Sequence, residues 1–100
     1  MEEIEGIITY GYHDGNLIIY SNRMDYNSAL HGVKELSKYM YELKEMYNDV
    51  LVDFDIEFGL LKGGKNQYNI VVRLVKGKES KIYILSGKLK KINLRDFYKN

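Results

Sequence analysis

Residues 4–22, IEGIITYGYHDGNLIIYSN, decide the fold. β-Branched and aromatic side chains run from Ile4 to His13, stop at Asp14-Gly15, and resume from Asn16 to Asn22. Asp-Gly supplies the two positive-φ positions of a type I′ turn, whose twist matches that of the strands it joins. The stretch therefore reads as a hairpin with a two-residue loop. That loop sets the register: His13 opposite Asn16, Tyr12 opposite Leu17, Tyr10 opposite Ile19. One face then carries Ile8, Tyr10, Tyr12, Leu17 and Ile19. The other carries Ile7, Thr9, Gly11, Ile18 and Tyr20.

Downstream, the spacing predicts a helix from Asp25 to about Asn48, with Asn22 or Asp25 as its N-cap. Tyr26, Ala29, Val33, Leu36, Met40, Leu43 and Tyr47 alternate steps of three and four, the stripe of a helix with one buried face. Val50 to Gly59 alternates Val50, Val52, Phe54, Ile56 and Phe58 with Leu51, Asp53, Asp55, Glu57 and Gly59, so a strand with one wet face is expected. Leu60 to Asn66 reads as a turn or loop and Gln67 to Lys76 as a fourth strand. Gly77-Lys78-Glu79 turns the chain into a fifth, about Ser80 to Ser86. The length of that turn is open by one residue, which leaves Val72 opposite either Tyr83 or Ile84. In the basic tail from Gly87 to Asn100, Leu89 and Ile92 suit a short edge strand, and Asn93 suits the cap of a helical turn holding Phe97 and Tyr98.

The expectation is one α+β domain over residues 1–100, β-β-α-β-β-β. It is a mostly antiparallel five-stranded sheet with one long helix across one face, and the tail from about residue 87 is flexible or a short edge element. No cysteine is present, so disulfides and thiolate metal sites are excluded. The acidic start and the lack of a long apolar run point to a cytoplasmic protein with no signal sequence and no membrane span.

Charge is divided along the chain. Residues 1–57 hold twelve acids and four bases, residues 58–100 two acids and eleven bases, so the halves carry −8 and +9. Such a division speaks of partners rather than fold. Between Glu45 and Glu57 lie five acids and no base: Glu45, Asp49, Asp53, Asp55 and Glu57. Asp53, Asp55 and Glu57 would share one strand face at ~6.8 Å spacing. Three readings compete for this cluster. It is a solvated face neutralised by a cross-strand base such as Arg73, an acidic docking patch, or the start of a Mg²⁺- or Mn²⁺-dependent nuclease site. Glu42, Glu45 and Asp49 crowd the helix C-terminus, where the dipole prefers cations, and this favours docking.

The basic half offers Lys62, Lys65, Arg73, Lys88, Lys90, Lys91 and Arg95 as an alternative nucleic-acid surface, although no RNA- or DNA-binding motif accompanies them. Gly63-Gly64-Lys65 lacks P-loop spacing and reads as a hairpin turn. His13 and His31 are too few for a zinc site, and the serines lack a nucleophile-elbow context, so no catalytic residue, metal or cofactor is expected. One helix leaves the second sheet face partly apolar. Ile7, Ile18 and Tyr20 there, joined by Leu51, Val71 and Val75, call for cover by curling, by the tail, or by another protein, a homodimer first.

The missing Pro, Cys and Trp and the ten tyrosines are similar in composition to small proteins of phages and archaeal viruses. That likeness implies a host-directed inhibitor of the anti-CRISPR kind, acting by binding alone. The reading is therefore a small non-enzymatic protein-binding module that occupies a surface of a larger, nucleic-acid-handling partner.

Overall fold

The computed structural model describes residues 2–4 and 8–95. Three strands, β1 (Glu2–Ile4), β2 (Ile8–His13) and β3 (Asn16–Ser21), precede the long helix α1 (Tyr26–Met46). A single helical turn, α2 (Asn48–Leu51), leads into β4 (Asp55–Gly64), β5 (Gln67–Lys76), β6 (Glu79–Ile84) and β7 (Lys90–Asn93). The fold is α+β and antiparallel, but it is not one five-stranded sheet. The strands form a four-stranded sheet, β1-β2-β3-β7, and a three-stranded sheet, β4-β5-β6. The reason is that a two-residue period reports which side chains share a face and is silent about which strand lies alongside.

The first hairpin has the register its turn dictates, His13 to Asn16 and Tyr10 to Ile19. Asp14 and Gly15 both take positive φ, 50° and 81°, as a type I′ turn requires. The run from Ile4 to His13 is two strands rather than one: Ile4 belongs to β1 and pairs with Ile8. β4 also departs from expectation at both ends. It starts at Asp55, not Val50, because the helical turn α2 runs to Leu51 and a tight turn follows, in which Phe54 N–H donates to Leu51 O at 3.0 Å and both side chains are fully buried. It continues to Gly64, with a bulge after Lys62, so the hairpin turn is only Lys65-Asn66. The β5–β6 turn is the two residues Gly77-Lys78, which places Val72 opposite Tyr83.

Two short stitches join the sheets. Beyond β3, Met24 exchanges both backbone hydrogen bonds with Tyr68 of β5, at 3.0 and 2.7 Å. Beyond β6, Leu85 donates to Ile70 O and Gly87 to Ser21 O, each at 2.9 Å. The tail contains a short edge strand without Leu89, which lies before it and is exposed: β7 pairs with β3 and buries Ile92 beside Leu17. Asn93 Oδ1 caps the backbone N–H of Arg95 at 2.9 Å. Phe97 and Tyr98 lie outside the described residues.

α1 lies on the inner faces of both sheets and closes one core. That core runs from Ile8, Leu17 and Ile19 through Ala29, Leu36, Met40 and Leu43 to Ile70, Val72 and Leu74. Three tyrosine pairs join the helix and its C-cap to the strands: Tyr10 with Tyr39 at 4.5 Å between centroids, Tyr12 with the C-cap Tyr47 at 4.8 Å, and Tyr26 with Tyr68 at 5.4 Å. Tilted rings at such separations contribute about 0.5–1.5 kcal/mol beyond their buried area. The closest approach is at Gly32, where the Cδ1 atoms of Ile8 and Ile70 occupy the space a Cβ would need.

Two predictions follow from the helix. In a helix interior Ala is favoured over Gly by about 1 kcal/mol. Gly32→Ala should nonetheless lower stability by about 1–3 kcal/mol in urea unfolding, since Ile8 and Ile70 are buried and overpacking dominates; a stabilised variant would show that the approach is loose. Asp25 caps α1, accepting from the Ser28 N–H at 2.9 Å, and this bond chiefly holds its carboxyl below the usual value. A lowered folded-state pKa means the cap contributes fully above the ordinary carboxylate range and fades as pH falls through the folded value. Asp25→Asn should keep most of the cap and flatten that acid limb, whereas Asp25→Ala should lose the cap at every pH, read from urea midpoints between pH 2 and 7.

Candidate docking surface

The acidic residues gather at one end of the molecule. Lys44, in the last turn of α1, donates to Phe54 O at 2.7 Å and lies 3.9 Å from Asp55, tying the helix end to the start of β4. Glu45, Asp49, Asp53, Asp55 and Glu57 are all exposed around this tie. They come from four different elements, however. Glu45 is on α1, Asp49 on α2, Asp53 in the turn that follows, and only Asp55 and Glu57 share a strand face. The expected ladder of three carboxylates is thus reduced to two. Among the described residues no group of three or more His, Cys, Asp or Glu stands close enough to hold a metal ion.

Charge divided along the chain is not fully divided in space. Arg73 sits opposite Glu57 in the β4–β5 ladder. Lys76 reaches over the Phe54 ring at 5.5 Å, within the acidic end. At the far hairpin, Arg95 pairs with Asp14 at 3.1 Å and covers Gly15. The proposed nucleic-acid residues are dispersed. Lys62 and Lys65 flank the β4–β5 hairpin, Arg73 is mid-strand in β5, Lys88 lies in the β6–β7 connection, Lys90 and Lys91 are on β7, and Arg95 follows it. Lys91 stands opposite Ile18 and Lys90 opposite Ile19, so the two point to opposite faces.

The second sheet face is partly as expected. Ile18 and Tyr20 are on the outer face of the four-stranded sheet, but both are half-buried, and Tyr20 donates its hydroxyl to Asn22 Oδ1 at 2.8 Å. Ile7 lies outside the described residues. Leu51 does not join this face; it is in the core. The uncovered apolar surface is instead on the three-stranded sheet. Register fixes its outer rows: Asp55, Val75 and Ser80; Glu57, Arg73 and Ile82; Gly59, Val71 and Ile84; then Leu61 beside Asn69. Ile82 is 65% exposed, Leu61 45% and Ile84 43%. This block was missed because the turn into β6 left its register open, so Ile82 and Ile84 had no assigned face. A groove of about 310 Å³ runs between α1 and β4, lined by Ser37, Met40, Tyr41 and Lys44 from the helix and by Asp55, Ile56 and Glu57 from the strand.

No protein-family model, curated protein or solved structure matches this chain. Among the described residues no helix is long and apolar enough to cross a membrane.

The Lys44 tie has a measurable weight. A cation donating to a carbonyl at the surface is worth about 1 kcal/mol after solvent screening. Lys44→Met should cost about that much in urea unfolding. Asp55→Asn, which removes only a 3.9 Å contact to a carboxylate that is 76% exposed, should fall within ~0.5 kcal/mol of the parent.

Proposed function

We propose that this chain is a small protein-binding module without enzymatic activity, which occupies a surface of a larger protein through the outer face of β4, β5 and β6. The observation that carries the reading is the cross-strand apolar block Leu61, Val71, Ile82 and Ile84, left in contact with solvent on a face that α1 does not reach. Lone exposed apolar residues need no explanation, but a contiguous set across three neighbouring strands does. Branched aliphatic side chains on a rigid sheet lose little entropy when covered, so they suit an interface centre.

Asp55 and Glu57 border the block, with Asp53, Asp49 and Glu45 beyond them. They would give a basic partner a faster and more selective approach, while the apolar centre would carry most of the affinity. A protein that handles nucleic acid presents a basic surface of that kind. Inhibition would follow from occupancy alone, in keeping with the compositional likeness to phage and archaeal-virus proteins. A second copy of the chain is the competing occupant of the same face, since symmetric dimers bury one patch twice.

The test compares three forms of the protein as bait in extract of the native host: wild type, Ile82→Asp/Ile84→Asp, and the control Lys88→Ala, each checked for native circular dichroism. The wild type and control should retain a stoichiometric partner that the double variant loses. Recovery of the same proteins by all three would refute docking through this face. Sedimentation of the wild type alone decides between occupants, because a self-associating face would give a dimer that the double variant dissolves.

A further inference from the structure

A second feature lies where the two sheets part. Asn22 and Arg23 follow β3, Ser86 and Gly87 follow β6, and Asn69 sits in β5 next to Tyr68, the residue bridged to Met24. Together they line a polar cavity of about 250 Å³. Asn69 is the unusual member: a primary amide within a Val- and Ile-rich strand, 6% exposed.

The hydrogen bonds of this cavity are one-sided. Arg23 Nε can only donate, and it donates to Asn69 Oδ1 at 3.2 Å. This fixes the amide orientation and turns Asn69 Nδ2, with its two hydrogens, the other way. Among the described residues Nδ2 takes no partner, yet no buried side-chain nitrogen or oxygen is left unsatisfied. Nδ2 therefore keeps some contact with solvent, and Asn69 is one of the residues that line the cavity. The two Nη groups of Arg23 are likewise uncommitted among the described residues, and the guanidinium lies over Gly63 of β4, within 3.5 Å of where a Cβ would stand. Asn22 accepts the Tyr20 hydroxyl through Oδ1, which leaves its own NH₂ to donate. Ser86 adds a hydroxyl. Among the described residues no carboxylate lines the cavity.

We infer that this seam cavity is an oxyanion site, built for a phosphate group carried free or on a small molecule. A planar guanidinium beside amide donors, in a recess that no acidic side chain among the described residues lines, matches the acceptor-rich geometry of phosphate. Gly87 keeps the mouth open: at φ +82° it favours glycine, and a Cβ there would stand 3.2 Å from Asn22 Oδ1. The inference does not rest on the docking face and stands or falls separately from it.

The experiment is a heteronuclear NMR titration of the full chain with inorganic phosphate, against sodium chloride at matched ionic strength. The Asn69 side-chain NH₂ and Arg23 Nε–H signals should shift and saturate with phosphate and stay still with chloride. Arg23→Gln, at an exposed position, should weaken binding by about tenfold or more, and Ser86→Ala by a smaller factor, both with native-like spectra. A parallel titration with adenosine monophosphate separates the sources: tighter binding assigns the phosphate to a carrier molecule, equal binding to the free ion. Shifts that fail to saturate, that chloride reproduces, or that survive Arg23→Gln unchanged would overturn the assignment.

Discussion

The structure depends on the close contact of α1 with both sheets at Gly32. At that position one helix meets Ile8 of the four-stranded sheet and Ile70 of the three-stranded sheet. Neither sheet could close its inner face alone, for three or four short strands need an apolar layer on one side. A side chain larger than hydrogen at residue 32 would have to displace the Cδ1 methyls of Ile8 and Ile70, one from each sheet. Cohesion elsewhere follows from this approach. Once the backbone is near, Ala29, Leu36, Met40 and Leu43 reach the core, and the tyrosine pairs lock the helix laterally to β2 and β5.

The same economy explains why one surface is left open. The helix has a single buried stripe, and its inner position is used by both sheets at once. The outer faces are then on their own. On the four-stranded sheet, Ile18 and Tyr20 stay half-buried. On the three-stranded sheet, Ile82 and Ile84 stand in water beside Arg73 and Val71. Charge grouped along the chain is softened in space, because antiparallel pairing brings Arg73 against Glu57 and Lys76 back to Phe54. The candidate surface is therefore apolar at its centre with acids at one margin, rather than the plain acidic patch that a linear reading of charge suggests.

Local rules were legible in the sequence and long-range pairing was not. Asp14-Gly15 dictated the register of the first hairpin, Asp25 was one of two caps offered for the helix, and Gln67 to Lys76 was read with the limits that β5 has. The split into two sheets was hidden, because β7 pairs with β3 across most of the chain, and no periodicity encodes a neighbour. Leu51 and Phe54 misled for a clear reason: both are buried across a tight turn at the end of α2, while the alternating Val50, Val52 and Ile56 imitate a strand. Two signals were present and unused. Gly32 interrupts a strong helix without ending it, which usually marks a close approach. Asn69, an amide buried beside the aliphatic run of β5, marked the seam cavity.

The central claim is that the chain, by itself, holds an uncovered apolar face on β4, β5 and β6 opposite a core shared by two sheets. Solvent paramagnetic relaxation of the methyl groups in dilute protein tests it most directly. The account predicts strong relaxation enhancement at Leu61, Ile82 and Ile84, and almost none at Ile8 and Ile70. Protection of Ile82 and Ile84 equal to that of Ile70 would contradict it.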